Sequence, residues 1–210
     1  MLLQGLYAIT DPDTMPGPLL FAKVEAALRG GCKIVQYRNK FLPQDALIDE
    51  AKKLRVLCHD FGAHLIVNDS LTVALQSDAD GVHLGQQDMS VSKARQQVSN
   101  NFCIGTTCHN ALALAQQAQA DGANYVAFGR FFSSRTKANA KTADSKILEQ
   151  AKAKISLPLV AIGGINLDNA TSLIDKGADC LAVSYDLFHH AKLSDIEQRA
   201  NQYSRLFEIQ

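Results

Sequence analysis

Two strand-like runs indicate the fold: Leu65-Ile66-Val67-Asn68-Asp69 and, at short range, Gly81-Val82-His83-Leu84-Gly85-Gln86-Gln87-Asp88. Each run is apolar and ends abruptly in polar residues, so Asp69 and Asp88 each lie just past the end of a run. If the two strands are parallel neighbours, both carboxylates arrive at the same end of one sheet. Paired carboxylates suit a hard cation, and Mg2+ bound in this way usually also holds substrate phosphates.

The rest of the chain repeats this unit. Short apolar runs alternate with longer stretches of helical periodicity, the order typical of βα units around a parallel sheet. Helices are expected at 18–29, 46–59, 110–120, 169–175 and 194–207, and four of these helices stop at a glycine shortly before the next strand. The strand candidates are Leu6–Ile9, Lys33–Tyr37, His64–Val67, Gly81–His83, Phe102–Thr106, Tyr125–Phe128, Leu159–Ile162 and Cys180–Val183.

Eight such units in 210 residues predict an α/β fold, a single (β/α)8 TIM barrel. A doubly wound open sheet is the alternative, but it normally carries a glycine-rich phosphate loop after its first strand. This chain has Thr10-Asp11-Pro12-Asp13 at that point. Because no linker or low-complexity segment interrupts the chain, we expect one barrel domain over residues 1–210.

Composition excludes several classes of partner. With 21 basic and 21 acidic residues the net charge is zero, which argues against bulk binding of nucleic acid or of an anionic membrane. No apolar span is long enough to cross a membrane and no signal peptide is visible, so a cytoplasmic location is expected. An odd number of cysteines without a Cys-x-x-Cys pair indicates reduced thiols rather than disulfides or zinc. These are Cys32, Cys58, Cys103, Cys108 and Cys180.

The second strand leads into a cationic segment, Gln36-Tyr37-Arg38-Asn39-Lys40. Alternation places Gln36, Arg38 and Lys40 on one side, at the barrel interior or its mouth. Two cations and an amide form an anion clamp, in which arginine makes bidentate contacts. A solvated loop is the alternative.

The residues after the next two strands have simpler explanations as well. Asp69 could cap a helix that begins near Leu71, and Asp88 could cap a helix after Ser90. His83 could be a hydrogen-bonded residue of the core. Only their combination with the cation clamp favours a metal and substrate site.

Three later strand ends complete the pattern of anion sites. Small hydroxyl residues in 105–110 precede a helix start and suit a phosphate oxygen, and a long Ser/Thr/Lys/Arg-rich loop near 129–142 suits a lid over a polyanion. The Gly163-Gly164 pair and Ser184 follow the last two strands, where barrels commonly bind phosphate through backbone amides. Glycine is expected at 164 because a side chain would block the phosphate. Two anion sites and one metal across a single mouth predict an enzyme that joins two phosphorylated substrates.

These motifs resemble the thiamine-phosphate synthase family over nearly the whole chain. The resemblance runs from Tyr7-Ala8-Ile9-Thr10-Asp11 to Ser184, and its strongest piece is Ala79-Asp80-Gly81-Val82-His83-Leu84-Gly85-Gln86-Gln87-Asp88. It implies a (β/α)8 barrel and a transferase of thiamine biosynthesis. That enzyme joins an aminopyrimidine methyl diphosphate to a thiazole phosphate, giving thiamine phosphate and pyrophosphate with Mg2+.

The resemblance also implies roles for individual residues. Asp69 and Asp88 match the metal ligands, and Arg38, Thr107 and Lys137 match residues that act on the leaving pyrophosphate. The substrate-binding candidates are Gln36, Arg38, Lys40, Asn68, His83, Thr107, Ser134, Thr136, Lys137, Gly164, Val183 and Ser184.

The chain departs from the family pattern in three places. Ser70 stands where the family usually has arginine, Ser133-Ser134 replaces a Pro-Thr pair in the lid, and Thr107 replaces serine. A synthase of weakened activity is therefore one alternative. Two others are a thiazole tautomerase-like isomerase that would use His83 or His109, and a non-catalytic module that binds a phosphorylated ligand. The sequence leaves the oligomeric state open.

Overall fold

A computed structural model describes residues 3–133 and 142–208. Its strands are all parallel and form a closed barrel in chain order, which confirms the predicted fold class. The strands are Gly5–Ile9 (β1), Ile34–Tyr37 (β2), His64–Asn68 (β3), Gly81–Leu84 (β4), Cys103–His109 (β5), Tyr125–Gly129 (β6), Leu159–Ile162 (β7) and Cys180–Val183 (β8).

The helices surround this barrel. Helical periodicity predicted the five longest helices to within two residues at each end, whereas the short helices Lys146–Lys152 and Tyr185–Phe188 were not predicted. The helices of the described ranges are Leu19–Arg29 (α1), Gln44–Asp60 (α2), Leu71–Gln76 (α3), Val91–Arg95 (α4), Leu112–Ala120 (α5), Lys146–Lys152 (α6), Leu167–Ile174 (α7), Tyr185–Phe188 (α8) and Leu193–Arg205 (α9). Within those ranges, no helix has the length and apolar character needed to span a membrane.

Strand alternation divides the buried residues into two cores. Side chains that face outward, such as Leu65 and Phe128, pack between the sheet and the helices. Side chains that face inward, such as Tyr7, Ile34 and Tyr125, fill the barrel axis. The inner core ends below the carboxyl ends of the strands, where polar inward-facing side chains take over.

A repeated polar contact fixes strand register at the opposite, amino-terminal end. The residue just before β4, β6 or β8 accepts a hydrogen bond at its side chain from the backbone N–H of a residue near the start of the preceding strand. Its own N–H donates back to the carbonyl of that same residue. We call these residues the Asx staples: Asp80 on Leu65, Asn124 on Ile104 and Asp179 on Leu159. Each staple also contacts a side chain of the helix that directly precedes β3, β5 or β7. These side chains are His59 for Asp80, Arg95 for Asn124 and Lys152 for Asp179.

Candidate active site at the barrel mouth

The two aspartates meet at the carboxyl ends of neighbouring strands. Asp69 follows β3 with a left-handed backbone (φ 65°), and its N–H donates to the carbonyl of His83 on β4 over 2.8 Å. Asp88 accepts a hydrogen bond from the Gly85 N–H at 2.7 Å. Burial raises the pKa of Asp88, and the adjacent Asp69 carboxylate raises it further. The two carboxylates are therefore close enough to act on one ligand.

Neither aspartate caps a helix, so those alternatives are wrong. The hydroxyl of Ser70 caps α3 by accepting from the Val73 N–H at 3.2 Å. The hydroxyl of Ser90 does the same for α4, with Lys93 as the donor at 3.4 Å. Ser70, at the position where the family pattern has arginine, therefore caps a helix. The Asp69 side chain is not used as a cap and faces the mouth.

The cation clamp reaches this pair through its last member. Lys40 Nζ lies 3.1 Å from Asp69 Oδ2. Arg38 is half-buried, and its backbone is fixed by Thr10, whose hydroxyl accepts from the Arg38 N–H at 2.8 Å and donates to the Arg38 carbonyl at 3.2 Å. Gln36 lies deeper, inside the barrel, so the three residues line one side at different depths.

This donor set fits magnesium better than a transition metal. Within residues 3–133 and 142–208, no group of three or more His, Cys, Asp or Glu side chains could hold a metal ion. Mg2+ is usually bound by one or two carboxylates, together with water and substrate phosphates, rather than by a full protein cage. Two adjacent carboxylates whose repulsion a cation would relieve meet that requirement.

A chain of hydrogen bonds crosses the barrel interior below the carboxylates. Gln36 Nε2 donates to the Tyr7 hydroxyl at 2.9 Å, and that hydroxyl lies 2.8 Å from the hydroxyl of Tyr125. Tyr125 lies 2.9 Å from His83 Nδ1, and His83 Nε2 lies 2.9 Å from Thr107 Oγ1. The rings of His83 and Tyr125 also stack, with centroids 5.6 Å apart. His83 is thus a hydrogen-bonded interior residue, with both ring nitrogens engaged.

Burial controls the charge of this interior. It lowers the pKa of His83 to about 4, against an opposing effect from Asp69, and it raises the pKa of both tyrosines. Tyr7 and Tyr125 are not among the site residues predicted from the sequence. Strand alternation would have placed both on the inward face, but aromatic side chains in short apolar runs look like ordinary core.

The expectation that the hydroxyl residues after β5 precede a helix start is wrong. The strand continues through Thr107 to His109, so the hydroxyl residues do not sit at a helix start, and α5 begins only at Leu112. The Thr106 hydroxyl is buried and donates to the Leu84 carbonyl, whereas Thr107 faces the mouth. His109 is the exposed last residue of the strand.

The glycine pair lies across the mouth from the carboxylates. Gly164 has a left-handed backbone (φ 67°), and Ser184 follows β8 as the residue before α8, next to the buried Val183. A Cβ on Gly164 would lie 2.6 Å from the Ser133 carbonyl oxygen. Glycine is therefore needed at position 164 partly because the segment after β6 packs against it. The sequence had suggested only that a side chain there would block the phosphate.

Of the remaining site candidates, one lies at the mouth and three lie outside the described residues. Asn68 ends β3 and pairs in register with His83 on β4, at the rim of the mouth. Ser134, Thr136 and Lys137, the proposed lid residues, lie outside the described residues.

Comparison with known proteins agrees with this geometry. The family model described as thiamine monophosphate synthase (TMP-TENI) matches residues 6–187. A thiamine-phosphate synthase from Alcanivorax borkumensis is 47% identical over 206 residues, which cover 98% of this chain and 95% of that protein.

Solved structures give the same picture. Thiamine phosphate pyrophosphorylase from Pyrococcus furiosus is 31% identical with a TM-score of 0.87, covering 98% of this chain and 96% of that one. The enzyme of that name from Bacteroides thetaiotaomicron shares the fold, with a TM-score of 0.72 at 17% identity and 98% coverage of both chains. The extent of the family match and the close relative establish that the chain belongs to the thiamine monophosphate synthase family.

Proposed function

We propose that this chain is a thiamine-phosphate synthase that joins an aminopyrimidine methyl diphosphate to a thiazole phosphate and releases pyrophosphate. The observation that carries the proposal is the meeting of Asp69, Asp88 and Lys40 at one point of the mouth. A site with two carboxylates and a cation suits a diphosphate that arrives with Mg2+. The names of the relatives support the same reaction.

In this proposal, Asp69 and Asp88 hold Mg2+, which when bound neutralises charge on the diphosphate. Lys40 and Arg38 lie on the same side of the mouth, and Lys137 is the third cation proposed to contact the diphosphate. Their task is to stabilise the negative charge that grows on the leaving oxygen as the C–O bond of the diphosphate breaks. The bond's electrons leave with pyrophosphate, and the electron-rich pyrimidine supports the cation left at its methylene carbon.

The thiazole nitrogen then attacks that carbon, with its own phosphate held at Gly164 and Ser184. The amides of these two residues are the proposed donors to the thiazole phosphate, next to Val183. Gln36, Asn68, His83 and Thr107 would line the pyrimidine and pyrophosphate, and Ser134 and Thr136 are further proposed substrate contacts. No protein nucleophile is needed, so positioning and electrostatics account for the rate.

The contacts of His83 do not favour the isomerase alternative. A proton-transferring histidine needs a ring nitrogen free to face the substrate, and both ring nitrogens of His83 have protein partners at 2.9 Å.

Pyrophosphate release tests the proposal. The purified protein is given both substrates with Mg2+, with Mg2+ and a chelator, and with each substrate alone. We expect release that requires both substrates and the metal, and a loss on the order of a hundredfold or more in Asp69→Asn and Asp88→Asn. Asp49→Asn, on the exposed face of α2, is the matched control. Binding of the thiazole phosphate without any release would support the binding-module alternative, and turnover of the thiazole alone would support the isomerase.

A further inference from the structure

We propose that a one-directional hydrogen-bond relay inside the barrel makes the Thr107 hydroxyl a hydrogen donor toward the mouth. Thr107 would touch the anionic ligand, and the residues behind it would act through it as positioning residues. These are Gln36, Tyr7, Tyr125 and His83. The assignment of hydrogens concerns the protein alone, whereas the expected effects on turnover rest on the proposed function.

The relay starts at an amide that can only donate. The Gln36 NH2 group carries hydrogens and no lone pair for this bond, so the Tyr7 hydroxyl must accept from it. The Tyr7 side chain is buried, and its hydroxyl hydrogen needs an acceptor of its own. Among the described residues, the second hydrogen-bond partner of this hydroxyl is Tyr125, at 2.8 Å. Tyr7 therefore donates to Tyr125.

The direction then passes to the imidazole. Because the Tyr125 hydroxyl accepts from Tyr7, its single hydrogen is available for the Nδ1 atom of His83 at 2.9 Å. A hydrogen on Nδ1 would leave two hydrogens facing each other in this contact. The neutral ring therefore carries its hydrogen on Nε2, and the tautomer is set by residues on β1, β2 and β6.

The last link fixes the threonine. Nε2–H of His83 donates to Thr107 Oγ1 at 2.9 Å, so the hydroxyl hydrogen of Thr107 points away from the ring. Thr107 is half-buried at the mouth, on the strand next to the one that carries His83. An anionic phosphate oxygen accepts that hydrogen well, whereas the reverse relay would present a lone pair to the anion.

Nitrogen NMR of the histidine ring tests the direction without any ligand. We expect the ring of His83 in the free protein at neutral pH to show a protonated Nε2 and a bare Nδ1. Tyr125→Phe removes the donor to Nδ1, and Tyr7→Phe leaves the Tyr125 hydroxyl free to accept from Nδ1 instead, so each variant should populate the other tautomer. Tyr203→Phe is the control, because the hydroxyl of this buried tyrosine donates to Asp186 on the outer side of the barrel. It should leave the His83 tautomer unchanged. A wild-type ring with its hydrogen on Nδ1 overturns the relay.

A double-mutant cycle tests whether the relay acts through Thr107. Thr107→Val should lower kcat/KM by about tenfold to a hundredfold, the usual range for a hydrogen bond to a charged group, and Thr107→Ser should restore most of it. Tyr7→Phe alone should lower kcat/KM by about tenfold, but in the Thr107→Val background it should leave kcat/KM almost unchanged. Equal costs in both backgrounds would mean that Tyr7 acts on the substrate or the fold directly, and would overturn its positioning role.

The two proposals fail separately. If the protein released no pyrophosphate, the proposed function would be wrong while the ring spectrum would still report the relay. If turnover were normal but the ring carried its hydrogen on Nδ1, only the relay would be wrong.

Discussion

The ammonium group of Lys40 lies 3.1 Å from Oδ2 of Asp69, one of the two carboxylates proposed to hold Mg2+. Both side chains are partly exposed, so this ion pair adds little to stability. Its consequence is competition, since the lysine partly neutralises the carboxylate when no metal is bound. In the proposed function, the same lysine would become available to the diphosphate once Mg2+ takes its place.

Lys40→Met should therefore separate metal binding from turnover. Without the competing cation, we expect Mg2+ alone to bind a few-fold tighter, in keeping with the small free energy of a partly exposed ion pair. We expect kcat to fall on the order of a hundredfold, because a charge facing the leaving diphosphate is lost. Titration calorimetry measures the first quantity and pyrophosphate release the second.

Lys154→Met serves as the control, because Lys154 is exposed beyond α6, towards the amino-terminal ends of the strands. Both quantities should keep their wild-type values in it. Weaker Mg2+ binding in Lys40→Met would contradict the competition between lysine and metal.

His83 should make the folded state sensitive to mild acid. Burial lowers its pKa to about 4 from the ordinary value of 6.5, so between these values the unfolded chain binds a proton that the folded chain does not. Its contribution to stability is therefore complete above pH 6.5 and is lost as the pH falls towards 4. The full loss is on the order of 3 kcal/mol.

Urea unfolding at pH 7 and pH 5 measures this effect. His83→Gln should be less stable than wild type at pH 7 but should lose less of its stability between the two pH values. His189→Gln, at an exposed position, should lose as much as wild type. An unchanged pH dependence in His83→Gln would show that other groups cause the acid sensitivity.

The sequence predicted the barrel because its elements are locally consistent. All eight strand runs appear where the apolar patterns put them, and the polar or glycine residues that follow most of them mark the mouth. The pairing of Asp69 with Asp88 followed from the same rule, since parallel neighbours end at one edge. The local pattern does not predict the length of β5. Thr107, Cys108 and His109 remain in this strand, with a register shift between Thr107 and His109.

The interior of the site was harder to predict for a different reason. Tyr7 and Tyr125 are 118 residues apart, and their contact exists only because the barrel closes. A buried tyrosine in an apolar run reads as core until a partner for its hydroxyl is known. Thr10 was likewise missed, because its role depends on the backbone of Arg38, which follows the neighbouring strand β2.

Gly105 should be intolerant of any side chain. A Cβ at this inward-facing position would lie 1.8 Å from Cζ of Tyr125, so the ring that stacks on His83 would have to leave its place. We expect Gly105→Ala to lower the free energy of unfolding by about 1–3 kcal/mol or more. Tyr125→Val in the same chain should recover part of that stability but none of the turnover. Urea unfolding measures these stabilities. A double variant no more stable than Gly105→Ala would contradict the steric explanation.

The Asx staples should contribute to stability without contributing to turnover. Asp179 accepts from the Leu159 N–H at 2.7 Å and from Lys152 at 2.7 Å, far from the mouth. Asp179→Ala would leave the Leu159 N–H without its acceptor, at a cost of about 1–3 kcal/mol. Asp179→Asn keeps an acceptor oxygen and should cost less, because it gives up only the charge in a partly exposed contact with Lys152.

Urea unfolding and pyrophosphate release on the same preparations distinguish these effects. Asp49→Ala, at an exposed position of α2, should change stability by no more than about 0.5 kcal/mol. In Asp179→Ala, kcat per folded molecule should match wild type, because the staple sets the register of β7 and β8 but touches no residue of the mouth. A fall in kcat without a loss of stability would place Asp179 in the catalytic machinery and contradict its role as a staple.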